Sequence, residues 1–273
     1  MKAHRSLTLT LAFLAGLAAV LAALPARPPA PLPPQSALDA FLDKIDAKVA
    51  DFQEARNWRG TVVSTITKMN RRWEAESVIV VTKAAVVADG RRTDEIKSAL
   101  ETSDGVTKDI TKEYIEEDRK AHERYRRQRP PDAKPRDPNA PPRKRGLGAS
   151  IEDFTPFSKA RRPLFSFRLD ELATLDGRPA VALDIAAKVK DEKNWEGRIY
   201  FDPATLDPIQ VEAKPSDNPR FVQLLEARIG LEVVGGKTLM LKSTRIRVNA
   251  GFLFFKRIRQ VAEDVYSGVE LLD

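Results

Sequence analysis

The sequence predicts an α+β protein built on one curved antiparallel sheet accompanied by one or two helices. Three features carry this prediction. Apolar residues follow a helical period near the N-terminus, and a period of two recurs over most of the remaining chain. Asp-Gly dipeptides typical of hairpin turns lie between the alternating runs, at Asp89-Gly90, Asp104-Gly105 and Asp176-Gly177. Long runs of strands without an intervening helix favour antiparallel pairing, because parallel strands need crossover connections.

The composition indicates a globular protein with a restricted chemistry. Of its 273 residues, 42% are hydrophobic and 31% are charged, with a net charge of +7. This supply of apolar residues is sufficient for a substantial core. The chain contains no cysteine, which excludes disulfides, thiolate nucleophiles, Cys-ligated metal centres and a lipid anchor on an N-terminal cysteine.

Residues 1–26 have the layout of a secretory signal peptide. Lys2 and Arg5 precede an uncharged stretch from Leu7 to Leu24, and Ala26 is small enough to precede a cleavage site, with Ala23 as the other candidate. The 18 residues of the stretch also fit an uncleaved membrane anchor, which is the alternative. We expect the segment to be removed on secretion.

The folded part is expected to be a single domain over residues 36–273, preceded by a proline-rich tether over residues 27–35. Ser36 is a suitable N-cap, and the apolar spacing after it predicts an amphipathic helix over residues 37–55. This helix either packs on the sheet as part of the core or acts as a mobile lid. The apolar stripe of the expected lid helix consists of Leu38, Phe41, Leu42, Ile45, Val49 and Phe52.

A second helix is predicted over residues 111–128, acidic in its first half and basic in its second, as suits the helix dipole. His122 lies among charged residues of this helix, so we interpret it as a surface residue and expect no catalytic triad. Residues 129–148 hold six prolines and no apolar period, which indicates an exposed insert. Its basic residues are candidates for contact with an anionic surface, above all Arg143, Lys144 and Arg145.

Strands are predicted on both sides of the second helix and the insert. Before them, alternation around Val62–Thr67 and Glu74–Val81 indicates a first pair. In the second half, alternating residues place one apolar and one wetted face on each strand. The predicted strands there are Leu164–Leu169, Ala180–Val189, Trp195–Phe201, Ile209–Lys214, Leu225–Val234, Leu239–Val248 and Phe252–Tyr266.

The segment from Trp195 to Pro215 resembles the central hairpin of bacterial outer-membrane lipoprotein-sorting proteins, the LolA/LolB-like superfamily. Its core phrase is a glycine, a short strand, Phe-Asp-Pro, a Leu-x-Pro turn and a return strand. The order of signal peptide, amphipathic helix and antiparallel meander is similar too, over residues 36–270. The resemblance implies an open half-barrel whose concave apolar face, covered by helices, holds acyl chains in the periplasm. The basic insert has no counterpart in that pattern, and no position matches the lid-closing arginine of the soluble carrier.

These expectations describe a periplasmic lipid or lipoprotein carrier that binds acyl chains in an apolar concavity for transfer toward the outer membrane. The alternative is a non-catalytic structural or envelope-sensing module of the same fold that binds a protein partner. We expect a monomer without catalytic residues, metal, cofactor or nucleic acid, with a membrane surface or envelope transport proteins as further partners. The residues expected to line the concavity are Trp195, Ile199, Phe201, Ile209, Val211, Ile229 and Leu231.

Overall fold

A computed structural model describes residues 35–128, 156–191, 194–252 and 256–272. The expected signal peptide and the basic insert, with Arg143, Lys144 and Arg145, lie outside these ranges. Within them, no helix combines the length and hydropathy needed to cross a membrane.

The described chain is dominated by strands. Its helices are α1 (Gln35–Asp51) and α2 (Thr111–Gln128), with a short 3-10 turn at Arg162–Leu164. The second helix therefore occupies the range predicted for it. The strands are β1 (Gln53–Glu54), β2 (Trp58–Met69), β3 (Ala75–Ala88), β4 (Arg91–Ser103), β5 (Val106–Asp109), β6 (Phe165–Leu175), β7 (Arg178–Ala187), β8 (Trp195–Phe201), β9 (Pro208–Pro215), β10 (Val222–Val234), β11 (Thr238–Phe252) and β12 (Lys256–Leu271).

Eleven of these strands form one antiparallel sheet in the order β5-β4-β3-β2-β12-β11-β10-β9-β8-β7-β6. The last strand, β12, lies between β11 and β2 and so joins the two halves of the chain. β5 and β6 are the edges, and within the described residues they do not pair with each other. Asp89, Asp104 and Asp176 have the positive φ expected of their hairpin turns. The predicted α+β class, an open antiparallel sheet with a helical cover, is confirmed.

The first helix begins at Gln35, so Ser36 lies inside it and is not its N-cap as predicted, and the predicted tether over residues 27–35 overlaps its first residue. The helix also ends earlier than the sequence predicts. α1 stops at Asp51, and β1 begins at Gln53 by pairing in parallel with the start of β11. β12 leaves this part of β11 free, because it pairs only from Ser243 onward. The predicted extension to residue 55 was therefore wrong, and Phe52 lies beyond the helix.

The final strands also differ from the predicted bounds. β11 continues through Phe252, and the separate strand β12 begins only at Lys256. At its other end β12 runs five residues past Tyr266, because Glu270 and Leu271 pair with the start of β2. The predicted strand over 252–266 thus joined the end of one strand to most of the next.

The sheet has two chemically different faces, since directly opposed residues of antiparallel strands point to the same side. We call the first the helix face; its central row, from β7 to β10, is Leu183, Ile199, Val211 and Ile229. We call the second the charged face; its central row, from β7 to β11, is Asp184, Arg198, Glu212, Arg228 and Arg245. Strand alternation therefore separates an apolar surface from an ionic one.

The second helix packs beside β4, near the end of the strand order that β5 forms. Thr111, its first residue, accepts a hydrogen bond at Oγ1 from the backbone N–H of Ala99 at 2.9 Å. Asp109 accepts from the backbone N–H of Thr111 at 2.9 Å, which satisfies a donor of the first turn. Near this helix, Val81 and Ala99 are fully buried on the helix face.

Candidate functional site

The largest apolar cluster lies beneath α1. Leu42 and Ile45 on the helix are 2% and 1% exposed, and Leu183 and Phe201 on the sheet are 0% and 1% exposed. Phe41 packs edge-on against Phe201, with ring centroids 5.7 Å apart. The apolar stripe predicted for the lid helix thus packs on the second half of the sheet.

The structure brings most of the residues expected to line a concavity into this one cluster. Trp195, Ile199, Phe201 and Val211 are buried members of it, and Ile229 and Leu231 pack against it while partly buried. The first four side chains contact mainly protein, whereas Ile229 and Leu231 keep part of their surface exposed. Their contact with an acyl chain stays a prediction.

Ile209 is placed differently from its predicted companions. Phe201 pairs with Pro208 and Tyr200 pairs with Gln210, so Ile209 is the extra residue of a β-bulge. It is half-buried and is not part of the cluster beneath α1. Phe52, beyond the helix end, is also absent from that cluster, and it lies 6.0 Å from the Lys48 ammonium.

Polar contacts hold the flanks of α1. Lys48 Nζ lies 2.8 Å from an Asp207 carboxylate oxygen in the β8–β9 connection. Arg162, just before β6, donates from Nη1 to Asp43 at 2.6 Å, and its hydrogen bond lowers the pKa of that carboxyl. The Lys48, Asp207 and Arg162 side chains are half-buried and Asp43 is exposed, so these ion pairs add to the attachment that the apolar stripe provides.

Two buried donors near the cluster lack acceptors among the described residues. The indole Nε1 of Trp195 is buried and has no hydrogen-bond partner, and the side chain as a whole is 9% exposed. Arg162 Nη2 is likewise buried without a hydrogen bond, at 3.9 Å from the nearest Asp46 oxygen. A buried donor without an acceptor costs about 1–3 kcal/mol.

The charged face carries an ion-pair row across its strands. Asp184 on β7 accepts from Arg198 Nη2 and from Arg168 Nε, both at 2.9 Å. Partial burial opposes ionisation of Asp184, but these hydrogen bonds outweigh it and lower the pKa of its carboxyl. The same contact raises the pKa of Arg198. The next pair of the row joins Arg228 to Glu212 at 3.0 Å.

A groove of about 850 Å³ lies on the charged face. Its lining comes from β7 to β12, the end of β2 and the β2–β3 turn. Five basic and four acidic side chains line it: Arg198, Lys214, Arg228, Arg245 and Arg247, with Asp184, Glu196, Glu212 and Glu226. The described residues contain no group of three or more His, Asp or Glu side chains that could hold a metal ion.

Sequence reasoning missed this groove, although it predicted a wetted face. The signal was present as alternating signs of charge at Asp184, Arg198, Glu212 and Arg228. Recognising that these residues are opposed requires the pairing register of four strands. The basic residues that the sequence singled out, Arg143 to Arg145, belong to the insert outside the described ranges.

Comparisons with known proteins find similar structures but no similar sequences. No protein-family model and no curated protein matches the chain. An outer-membrane lipoprotein-sorting protein domain from Vibrio parahaemolyticus is 11% identical, with a TM-score of 0.36 over 84% of this chain and 91% of that one. A LolA superfamily protein from Nitrosomonas europaea is 10% identical, with a TM-score of 0.32 over 85% and 94%. A MucA/MucB complex from Pseudomonas aeruginosa is 10% identical, with a TM-score of 0.24 over 85% of this chain and 99% of that one. These likenesses assign no ligand or activity to the chain.

Proposed function

We propose that the chain is a secreted, periplasmic binding protein that carries an acyl chain of a lipid or lipoprotein toward the outer membrane, without catalysis. The acyl chain would lie between α1 and the helix face, in contact with Trp195, Ile199, Phe201 and Val211. The single observation that carries this proposal is the buried indole N–H of Trp195, which has no acceptor among the described residues and lies inside an apolar cluster. A bound ester or carboxyl oxygen would accept from it.

Binding requires α1 to move, because its apolar side chains now occupy the helix face. Withdrawing Leu38, Leu42 and Ile45 from the cluster exposes three buried side chains, at about 1.5–3 kcal/mol each, or about 4.5–9 kcal/mol together. Burying an acyl chain of about 15 carbons returns about 12 kcal/mol before the costs of binding. The two quantities are of the same order, so exchange of helix for ligand is energetically accessible.

Binding of a fluorescent fatty acid tests the proposal directly. The purified, delipidated protein should bind the probe at micromolar concentration, and Trp195→Phe should weaken binding while keeping the ring. Absence of binding to the wild type would exclude the carrier.

Thiol reactivity tests the movement of α1, because the chain has no native cysteine. Ile45→Cys places a thiol beneath α1, where the native side chain is 1% exposed. The matched control is Val62→Cys, which is 0% exposed in a separate core cluster. If α1 is a mobile lid, the thiol at position 45 should react much faster than the thiol at position 62. Equal rates, limited by global unfolding, would show that α1 is fixed.

A second candidate is a non-catalytic structural or sensing module that binds a protein partner. The complete burial of Phe201 and Leu183 by the protein's own side chains favours it, since a filled core needs no ligand. It predicts equal thiol reactivity at positions 45 and 62 and no uptake of the fatty-acid probe.

A further inference from the structure

Four arginine side chains and one lysine side chain line the groove on the charged face. Arg245 differs from the other four in its contacts. Arg198, Lys214, Arg228 and Arg247 each pair with a carboxylate. Arg245 is exposed, and among the described residues no carboxylate forms an ion pair with it. Glu263 lies opposite Arg245 on β12 but makes no such pair. Among the described residues, Arg245 is thus the one basic side chain of the groove lining that forms no ion pair with a carboxylate.

The neighbour of Arg245 on the other flanking strand carries the same charge. Arg228 lies directly opposite it on β10, on the same face of the sheet. Directly opposed side chains of antiparallel strands have their Cβ atoms about 4.5–5.5 Å apart, and like charges at that distance are destabilising. The sheet therefore places two positive groups next to each other, of which Arg228 is paired with Glu212, whereas Arg245 faces Glu263 without an ion pair to it.

A third arginine is held in place beside them. Arg247, two residues along β11, donates from Nη1 to Glu226 at 3.0 Å, and its guanidinium lies 4.8 Å from the Trp73 ring centroid. These contacts fix the side chain and leave further N–H groups available, since a guanidinium has five donors. Fixed arginines lose little entropy when they bind an oxyanion.

Trp73 lies in the β2–β3 turn at the rim of the groove. Its φ is +63°, a left-handed conformation that is costly for a bulky residue. Asn70 holds the turn by accepting hydrogen bonds at Oδ1 from the backbone N–H groups of Arg72 and Glu74, at 2.8 and 3.0 Å. The turn thus keeps an aromatic ring beside the arginines.

We propose that Arg228, Arg245 and Arg247 form a binding subsite for an oxyanion of the phosphate type, next to Trp73 at the rim of the groove. The ligand provides a negatively charged partner for Arg245 and reduces the repulsion between Arg245 and Arg228. Free phosphate and the headgroup of an anionic phospholipid share this chemistry. The subsite lies on the face opposite to α1, so it is independent of acyl binding.

Titration with inorganic phosphate, followed by tryptophan fluorescence, tests the subsite. The emission should change on binding, and Trp73→Phe should remove the change. Arg245→Gln should weaken binding by about tenfold or more, as expected for loss of a charge-assisted contact. Arg178→Gln, which removes an exposed arginine outside the groove lining, should leave binding unchanged. Rising salt should weaken binding.

The stability of the Arg245→Gln variant distinguishes a binding role of Arg245 from a purely structural one. Arg245→Gln removes a like-charge contact, so its melting temperature without ligand should equal or exceed that of the wild type. Arg245→Lys should restore part of the affinity, because it keeps the charge but loses the planar fork of donors. A marked fall in stability for Arg245→Gln would overturn the proposal.

Vesicles distinguish the two sources of the oxyanion. Co-sedimentation with phosphatidylglycerol vesicles but not with phosphatidylcholine vesicles, lost in Arg245→Gln, would identify a headgroup. Binding of inorganic phosphate without vesicle binding would identify a soluble ligand. The proposal is wrong if neither probe binds, or if binding is the same in Arg245→Gln and in the wild type.

Discussion

Replacing Gly197 by alanine should force β8 and β9 apart locally and destabilise the fold. A Cβ built on Gly197 would lie 1.8 Å from the carbonyl oxygen of Glu212, 2.8 Å from its carbonyl carbon and 3.0 Å from the Cα of Ala213. All three atoms belong to the backbone of β9, so no side-chain rotation relieves the overlap. The two strands must separate locally.

The expected cost follows from the number and kind of atoms displaced. Overpacking costs about 1–3 kcal/mol and occasionally more, and a clash with fixed backbone belongs at or above the upper value. For a domain of this size each kcal/mol lowers the melting temperature by about 2–4 °C, so Gly197→Ala should lower it by about 6–12 °C.

Thermal unfolding followed by circular dichroism measures this effect. Gly251→Ala is the matched control, because its new Cβ meets first a flexible atom, Arg257 Cγ, at 3.2 Å. The control should melt within about 4 °C of the wild type, as a change of about 1 kcal/mol or less implies. Equal melting temperatures for the two variants would refute the close approach of β8 and β9.

Three further predictions concern α1 and the charged face. Ile45→Ala should lower the free energy of unfolding by about 2–5 kcal/mol in urea titrations, whereas Ala40→Ser on the exposed side of α1 should change it by less than about 0.5 kcal/mol. The double change Phe41→Ser with Ile45→Ser should both destabilise the fold and weaken retention of a fluorescent fatty acid; loss of stability alone would indicate a filled module. The pKa of Asp184 is lowered from 3.8, so its stabilisation is complete above that value and is lost as the pH falls through the lowered pKa. The melting temperatures of Asp184→Asn and the wild type should therefore differ at neutral pH and converge in acid. A difference in melting temperature that stays constant with pH would contradict this.

Local signals allowed most of the fold to be predicted from the sequence. The range of α2 and the hairpin turns at Asp89, Asp104 and Asp176 depend on residues close in the chain. The end of α1 does not, because Gln53 pairs with Thr238, far along the chain. Ile209 shows the same limit, since alternation alone does not reveal a bulge that inserts one residue into β9.

The candidate sites were predictable to different extents. The apolar cluster beneath α1 could be predicted because burial follows the hydrophobic period of each element. The lack of an ion pair at Arg245 could not, because it depends on the register that sets Arg228 and Glu263 opposite it and on side-chain geometry that forms no Arg245–Glu263 pair within the described part of the chain. The sequence alone does not show whether a charged residue on a solvent-exposed strand face forms an ion pair.

The two faces depend on one register, which separates the proposed acyl contacts from the proposed oxyanion subsite. In β8, Ile199 and Phe201 contribute to the cluster beneath α1, whereas Arg198 and Tyr200 line the groove. A slip of one residue would exchange the two sets, and the Asp184–Arg198 pair opposes such a slip because it would bury unpaired charges. The pairing of β7 to β12 involves no residue of α1, so under the proposed exchange of helix for acyl chain the groove would keep its arrangement.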